Sequence, residues 1–234
     1  MGEARLWAAS GAPHGSVVFT DFQEAGRGRV PGRIWQAEAG KNLLFTLILR
    51  YGLLCDIPAA FSLRCALAVL STLEQLGLWE ESELSIKWPN DVMLRGKKVS
   101  GILAEGDGKT VLAGIGINIL QRNFKVSNGT SIINEAERLP AAEAELRRLV
   151  FKNLLHALYA EFEGEKQKTD WEERLNKRLF MKNKYVVFEE GAADSGKLIK
   201  GVLLGIDSSG ALVIACEGGA ARSFASGELK LAVS

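Results

Sequence analysis

Residues 110–120 read TVLAGIGINIL, and the alternation inside this stretch decides what kind of fold the chain can make. Side chains change sides at each step along a strand. Ile115, Ile117 and Ile119 therefore share one face, and Gly114, Gly116 and Asn118 share the other. The isoleucine face belongs in a core. The glycine face is bare backbone with one amide, which suits either a closely packed helix or a flat floor beneath a ligand. Strand signals surround it. SVVFTDF (16–22) is β-branched and aromatic, and NLLFTLILR (42–50) is a continuous apolar run of the kind a buried strand shows. ELSIKW, DVML and KKVSGILAEG read as three more strands, with Arg95-Gly96 marking a hairpin turn between the last two.

Helical spacing takes over twice. In 57–77, Phe61, Leu67, Leu70 and Leu73 recur on one side, with Pro58 near the start and Gly77 at the end. In 141–162, Leu146, Leu149, Val150, Leu154, Ala157 and Leu158 form one stripe, and a second helix is expected at about 171–179. From Phe180 onward the pattern is short strands separated by Gly, Asp and Ser, which predicts a small antiparallel β-barrel. The expected organisation is an α+β domain over 1–179, a mixed β-sheet flanked by helices, followed by a small all-β domain over 180–234.

Composition excludes several classes. The 234 residues are 47% hydrophobic and 24% charged with a net charge of +1, so no general attraction to nucleic acid or an anionic membrane is expected. Cys55, Cys65 and Cys216 are scattered, and His14 and His156 lie far apart, which argues against a Cys/His metal site. No leader-like start and no apolar run of membrane-spanning length is evident, which predicts a reduced, cytoplasmic protein.

Four segments carry chemistry. GRGRVPGRIW (26–35) places three arginines and three glycines in ten residues without an acid. Glycine lets backbone N–H groups approach a ligand, and arginine offers a fork of donors matched to carboxylate and phosphate, so an anion cradle is expected. A disordered loop or a nucleic-acid segment is the competing reading; Trp35 between two buried strands favours a loop that closes on a ligand. KWPND (87–91) ends a strand at Pro89 and sets Asn90-Asp91 in a turn, where a carboxylate suits a Mg²⁺ ion held mostly by water and phosphates. KVSGILAE (98–105) opens with a lysine, ordinarily an edge charge, but Gly101 beside it removes a side chain where something must come close. GIGIN supplies the floor. No Walker loop, dinucleotide fingerprint or catalytic Ser/His/Asp or Cys/His set is present. The residues alone stop at a protein that binds a nucleotide or phosphorylated ligand.

In order and spacing, QEAGRGRVPGRIW, KWPNDV, KVSGILAE and GIGINI resemble the signature segments of biotin protein ligases, and GVLLGIDSSGALVI and SGELKL resemble the small SH3-like domain that ends many of them. The resemblance runs from about Ala12 to the end. It implies a catalytic domain like that of class II aminoacyl-tRNA synthetases and ATP-dependent biotinylation in two half-reactions. MgATP and biotin form biotinyl-5′-AMP, and a lysine of a biotin carboxyl carrier domain then takes the biotin, with no tightly bound prosthetic group. Carried over by the resemblance, Gln23, Arg27, Gly28 and Arg29 line biotin and the acyl-phosphate, Trp35 closes near the adenine, and Lys98 contacts both the biotin carboxylate and the α-phosphate. Asp91 with Asn90 positions Mg²⁺ and phosphates, Lys87 and Asn118 assist over the Gly114/Gly116 floor, and Gly101 leaves room.

The chain departs from the family pattern twice. Val30-Pro31 makes two residues where one usually separates the arginine clusters, and neither Ser10 nor Ser16 stands in the context of the family's upstream Ser/Thr-Asn segment that contacts biotin. The resemblance also implies no DNA binding, because no helix-turn-helix extension precedes Met1, and no membrane partner; a homodimer stays open. The alternatives are a lipoate or octanoyl transferase, a non-catalytic biotin- or carrier-binding protein, and a nucleic-acid module.

Overall fold

A computed structural model describes residues 1–125, 128–163, 167–191 and 196–230, with 167–169 as backbone only. Six strands form its first sheet: β1 (Ser16–Thr20), β2 (Asn42–Arg50), β3 (Leu84–Lys87), β4 (Asp91–Leu94), β5 (Lys97–Asp107) and β6 (Thr110–Asn118). Their order is β1-β2-β6-β5-β4-β3, and every neighbouring pair is antiparallel. The sheet expected as mixed is thus antiparallel between its strands; among the described residues parallel pairing occurs only as single bridges, Ile86 to Leu179 and Lys98 to Gly129. Side-chain alternation assigns faces but carries no strand direction, which is why the sequence did not settle this. The Arg95-Gly96 turn is as expected. Both residues have positive φ (51° and 75°), the primed geometry whose twist matches paired strands.

Among the described residues five α-helices accompany the sheets: α1 (Gly2–Ala9), α2 (Phe61–Glu74), α3 (Ile132–Glu135), α4 (Glu143–Glu163) and α5 (Gln167–Arg178). Leu43, Phe45, Leu47 and Leu49 of β2 join Ala113, Ile115 and Ile117 of β6 in the main core with α2 and α4. The alternate residues Ile48 and Leu112 meet Ala4 of α1 on the opposite face. By length and mean hydropathy (1.5) the stretch Leu54–Glu74 does reach membrane-spanning size, contrary to the expectation from the sequence. Ten of the fourteen α2 residues are buried, among them Arg64 and Thr72, so α2 is the central core helix.

The second sheet comprises β7 (Tyr185–Glu190), β8 (Lys197–Ile206), β9 (Leu212–Cys216), β10 (Ala221–Phe224) and β11 (Gly227–Lys230), in the order β10-β9-β8-β7-β11. Its end strands β10 and β11 do not pair with each other among the described residues, so the expected barrel is an open antiparallel sheet. Phe188, Leu203, Ile214 and Leu229 join the same core as α2. Trp88, next to a cis peptide bond with Pro89, packs on Phe188 at 5.8 Å and donates its indole N–H to the Gly210 carbonyl at 3.0 Å.

Beneath α2, Arg64 donates to Glu161 Oε1 at 2.8 Å and Arg174 donates to Oε2 at 2.8 Å, with Arg64 and Glu161 both buried. Removing one partner of a buried pair strands the other charge, which costs about 3–5 kcal/mol. Glu161→Ala should therefore lose about that much stability in urea unfolding, whereas an unchanged midpoint would show that α2 and α4 do not depend on this pair.

Candidate functional site

The site lies on the sheet face opposite α2, and a break in strand pairing creates it. Along β4 and β5, Val92 pairs with Ser100 but Met93 pairs with Lys98, leaving Val99 as an extra residue. This bulge resets the alternation. Val99 and Ile102 both enter the core, while Lys98 and Gly101 come to one side; a Cβ on Gly101 would lie 3.2 Å from Lys98 Nζ. β5 is an interior strand, so Lys98 is not the edge charge that an opening lysine ordinarily signals.

Lys98 Nζ stands 2.6 Å from Asp91 Oδ1 as a close ion pair, although that oxygen receives no aligned hydrogen bond. The Lys98 backbone bonds to the Asn128 carbonyl at 2.7 Å and to the Thr130 N–H at 2.9 Å, which brings 128–130 to the site as a wall. Asn118 donates to the Thr130 carbonyl at 2.9 Å, and its Oδ1 is buried without a partner. Asn90 donates to the Ile102 carbonyl at 2.7 Å. Lys87 is 9% exposed, and burial pushes its ammonium pKa below the usual value, opposed by the nearby Asp91 and Glu228 carboxylates. A bound anion would favour its charged form.

The arginine loop is a small hairpin. Gly28 N–H donates to the Arg33 carbonyl at 2.8 Å, Trp35 N–H to the Gly26 carbonyl at 3.1 Å, and Arg33 N–H to the Val30 carbonyl at 3.1 Å. The extra residue of Val30-Pro31 therefore falls at the tip. A Cβ on Gly28 would press on Arg33 at 3.1 Å, so glycine there permits the close return. The positive charges have carboxylate or carbonyl partners. Arg27 meets Glu105 at 3.2 Å, with Arg5 of α1 on the same carboxylate; Arg29 donates to the Gly227 carbonyl at 2.9 Å; and Arg33 forks onto Glu228 at 2.5 and 2.7 Å.

Two adjoining cavities result, of about 380 and 490 Å³. Arg29, Lys87, Asn90, Asp91, Lys98 and Asn118 line the smaller one. Gln23, Arg27, Gly101, Gly114 and Gly116 line the larger, and Gly28, Arg29, Trp35, Asn90 and Lys98 belong to both. All the residues singled out in the sequence thus come together. Gly114 and Gly116 lie with Gln23 in the larger cavity, and Asn118 lines the smaller. The Trp35 indole covers the bare glycines, with the ring 2.8 Å from where a Gly116 Cβ would be and 3.0 Å from that of Gly101. Lys98 Nζ is 5.5 Å from the ring centre, and the indole N–H is buried without a partner. The ring stands where the cavities meet.

Sequence reasoning missed Thr46 and Leu44 of β2, Met1, whose sulfur sits over Gly114, and Glu228 of the second sheet. Alternation along β2 could have found Leu44 and Thr46, because they face away from the core positions Leu43 and Phe45. No local signal points to Glu228.

Cations on both sides of one lysine, a glycine floor and a hairpin beside two adjoining cavities define a protein whose site is chemically suited to anions. The Biotin/lipoate A/B protein ligase family model matches residues 4–121, and the Biotin protein ligase C terminal domain matches 192–229. The chain belongs to the biotin/lipoate A/B protein ligase family. It is 30% identical over 229 residues to the Bifunctional ligase/repressor BirA of Escherichia coli, covering 93% of this chain and 66% of that protein. It is 36% identical over 149 residues to the biotin–acetyl-CoA-carboxylase ligase of Mycobacterium tuberculosis (61% and 54%), and 37% identical over 120 residues to the BirA of Bacillus subtilis (49% and 36%). The matches thus span about a third to two thirds of these relatives' lengths. The fold superposes on the biotin protein ligase from Aquifex aeolicus in complex with biotin and ATP with a TM-score of 0.74, 25% identity, and coverage of 97% and 92%.

A methyl group at Gly116 cannot coexist with the indole as placed. Gly116→Ala should expel Trp35 into solvent and red-shift its emission, read as a difference spectrum that vanishes in a Trp35→Phe background. An unshifted spectrum would mean the indole does not rest on this floor.

Proposed function

We propose that this protein is an ATP-dependent biotin protein ligase, with the larger cavity taking biotin and the smaller taking MgATP. The observation that carries the reading is the position of Lys98, which lines both cavities and so stands where a carboxylate and an α-phosphate would meet. The solved relative holding biotin and ATP supports it.

In the first half-reaction a biotin carboxylate oxygen bonds to the α-phosphorus and the bond to the pyrophosphate oxygen breaks, giving biotinyl-5′-AMP. Two anions must approach, and charge grows on the α-phosphate oxygens in the transition state. Lys98 exchanges Asp91 for these oxygens, and Arg27 and Arg29 add donors from the loop. Lys87 and Asn90 serve the remaining phosphate oxygens, while Gln23 and the Gly101/Gly114/Gly116 floor hold biotin. The Asp91 carboxylate and the orphaned Asn118 Oδ1 offer oxygen donors that would hold an Mg²⁺ accompanying ATP, which would neutralise phosphate charge. Trp35 leaves the cavity junction and packs beside the bound ligand. In the second half-reaction a lysine amine of a carboxyl carrier domain attacks the acyl carbon, its proton is lost, and AMP departs. A closed arginine loop keeps water from the anhydride in between.

Incubation with biotin, MgATP and a biotin carboxyl carrier domain should yield a streptavidin-reactive carrier, and biotin-dependent ATP–pyrophosphate exchange isolates the first step. Absence of exchange at saturating biotin would favour a non-catalytic biotin-binding protein. Lys98→Ala should reduce the exchange rate by about a hundredfold or more, as loss of a donor to developing charge does elsewhere; near-normal exchange in that variant would reassign the residue.

A further inference from the structure

We infer that Glu228, on β11 of the second sheet, is a positioning residue that holds the arginine loop shut through Arg33; the catalytic consequence rests on the ligase reading above. A carboxylate is out of place in a cavity for phosphates, because it repels the ligand it faces. Glu228 nevertheless lines that cavity, with its side chain 16% exposed. Burial opposes its charge, but the Arg33 hydrogen bonds, with Lys230 and Lys87 nearby, hold the carboxyl below its usual range, so it remains an anion.

Both carboxylate oxygens are engaged by one guanidinium, a planar match that fixes direction as well as distance. The neighbouring residue makes a second tie, with Arg29 donating to the Gly227 carbonyl. The anchor itself is closely packed. Gly227 has φ 141°, and a Cβ there would overlap the Phe188 ring, which packs on Trp88 of the KWPND corner. The tip of the loop is thereby referenced, through β11 and Phe188, to the corner that carries Asn90 and Asp91. On the other flank Arg27 is tied to Glu105 of β5, so the loop spans from the first sheet to the second. With Arg33 held, Arg27 and Arg29 stay over the cavities.

The loop's own N–H groups report its opening. In ligand-free protein, Glu228→Gln should speed amide exchange at Gly28 and Trp35 by about three- to tenfold, the range for a half-exposed charged pair. Exchange in the β2–β6 pairing and the urea midpoint should stay put, since a loop latch is not part of either. Arg33→Gln, on the loop itself, should also speed this exchange, and the double variant should fall clearly short of the sum of the two. Unchanged exchange in either single variant, or additive effects in the double, overturns the latch whatever the activity proves to be. In the ligase assay, Glu228→Gln should release biotinyl-AMP several-fold faster while forming it at a rate closer to the parent. Failure of the parent to form biotinyl-AMP would instead defeat the ligase reading and leave the exchange result standing. Faster exchange without faster release would confine Glu228 to loop order and overturn its role in retention.

Discussion

The extra residue Val99 in β5 is the constraint on which the site depends. A regular strand would send Lys98 and Gly101 to opposite faces, with the ammonium on the same face as the core residue Ile102. That would bury an unpaired charge, at a cost no domain of this size tolerates easily. With the bulge, the same strand contributes Val99 and Ile102 to the core and Lys98 and Gly101 to the cavities. The sheet can therefore be a packing layer on one side and a binding floor on the other without a change of chain direction.

Concentrating cations beside two ligand sites raises a second problem, since they repel one another while the sites are vacant. The fold answers with exchangeable partners. Asp91 faces Lys98, Glu105 faces Arg27, and a backbone carbonyl accepts from Arg29. None of these is the deep, fully dehydrated kind of pair seen at Arg64 and Glu161, where both side chains are almost wholly buried. Half-exposed pairs contribute little to stability and break easily. Ligand oxygens can take their places without unfolding anything. The sequence puzzle of positive charge on flexible backbone is resolved by acids that come from other strands.

Much of this was legible beforehand because it is local. The isoleucine face of β6, the buried run of β2, the Arg95-Gly96 turn and the four chemical segments each depend on residues a few positions apart. What the sequence hid depends on distant partners. The direction of strand pairing, the bulge, the openness of the second sheet and the division of Gly114, Gly116 and Asn118 between two cavities follow from which strand lies beside which. Trp35 belongs here too. Its place at the end of the loop suggested only a loop that closes on a ligand; the return of the hairpin, bonded from Trp35 N–H to Gly26, is what lays the indole across Gly101 and Gly116. Glu228 lies 195 residues from Arg33 in the chain, beyond the reach of any pattern.

The indole at the cavity junction also bears on inhibitor chemistry. A compound filling one cavity can leave Trp35 at rest, whereas a compound that bridges both must take the space of an aromatic ring lying on bare peptide. A flat linker would replace the stacking it displaces, and an acceptor on that linker near Lys98 would meet a ready donor. A flexible aliphatic tether would offer neither. Joining two weak fragments across this junction is therefore a question of what replaces a tryptophan, more than of how long the tether must be.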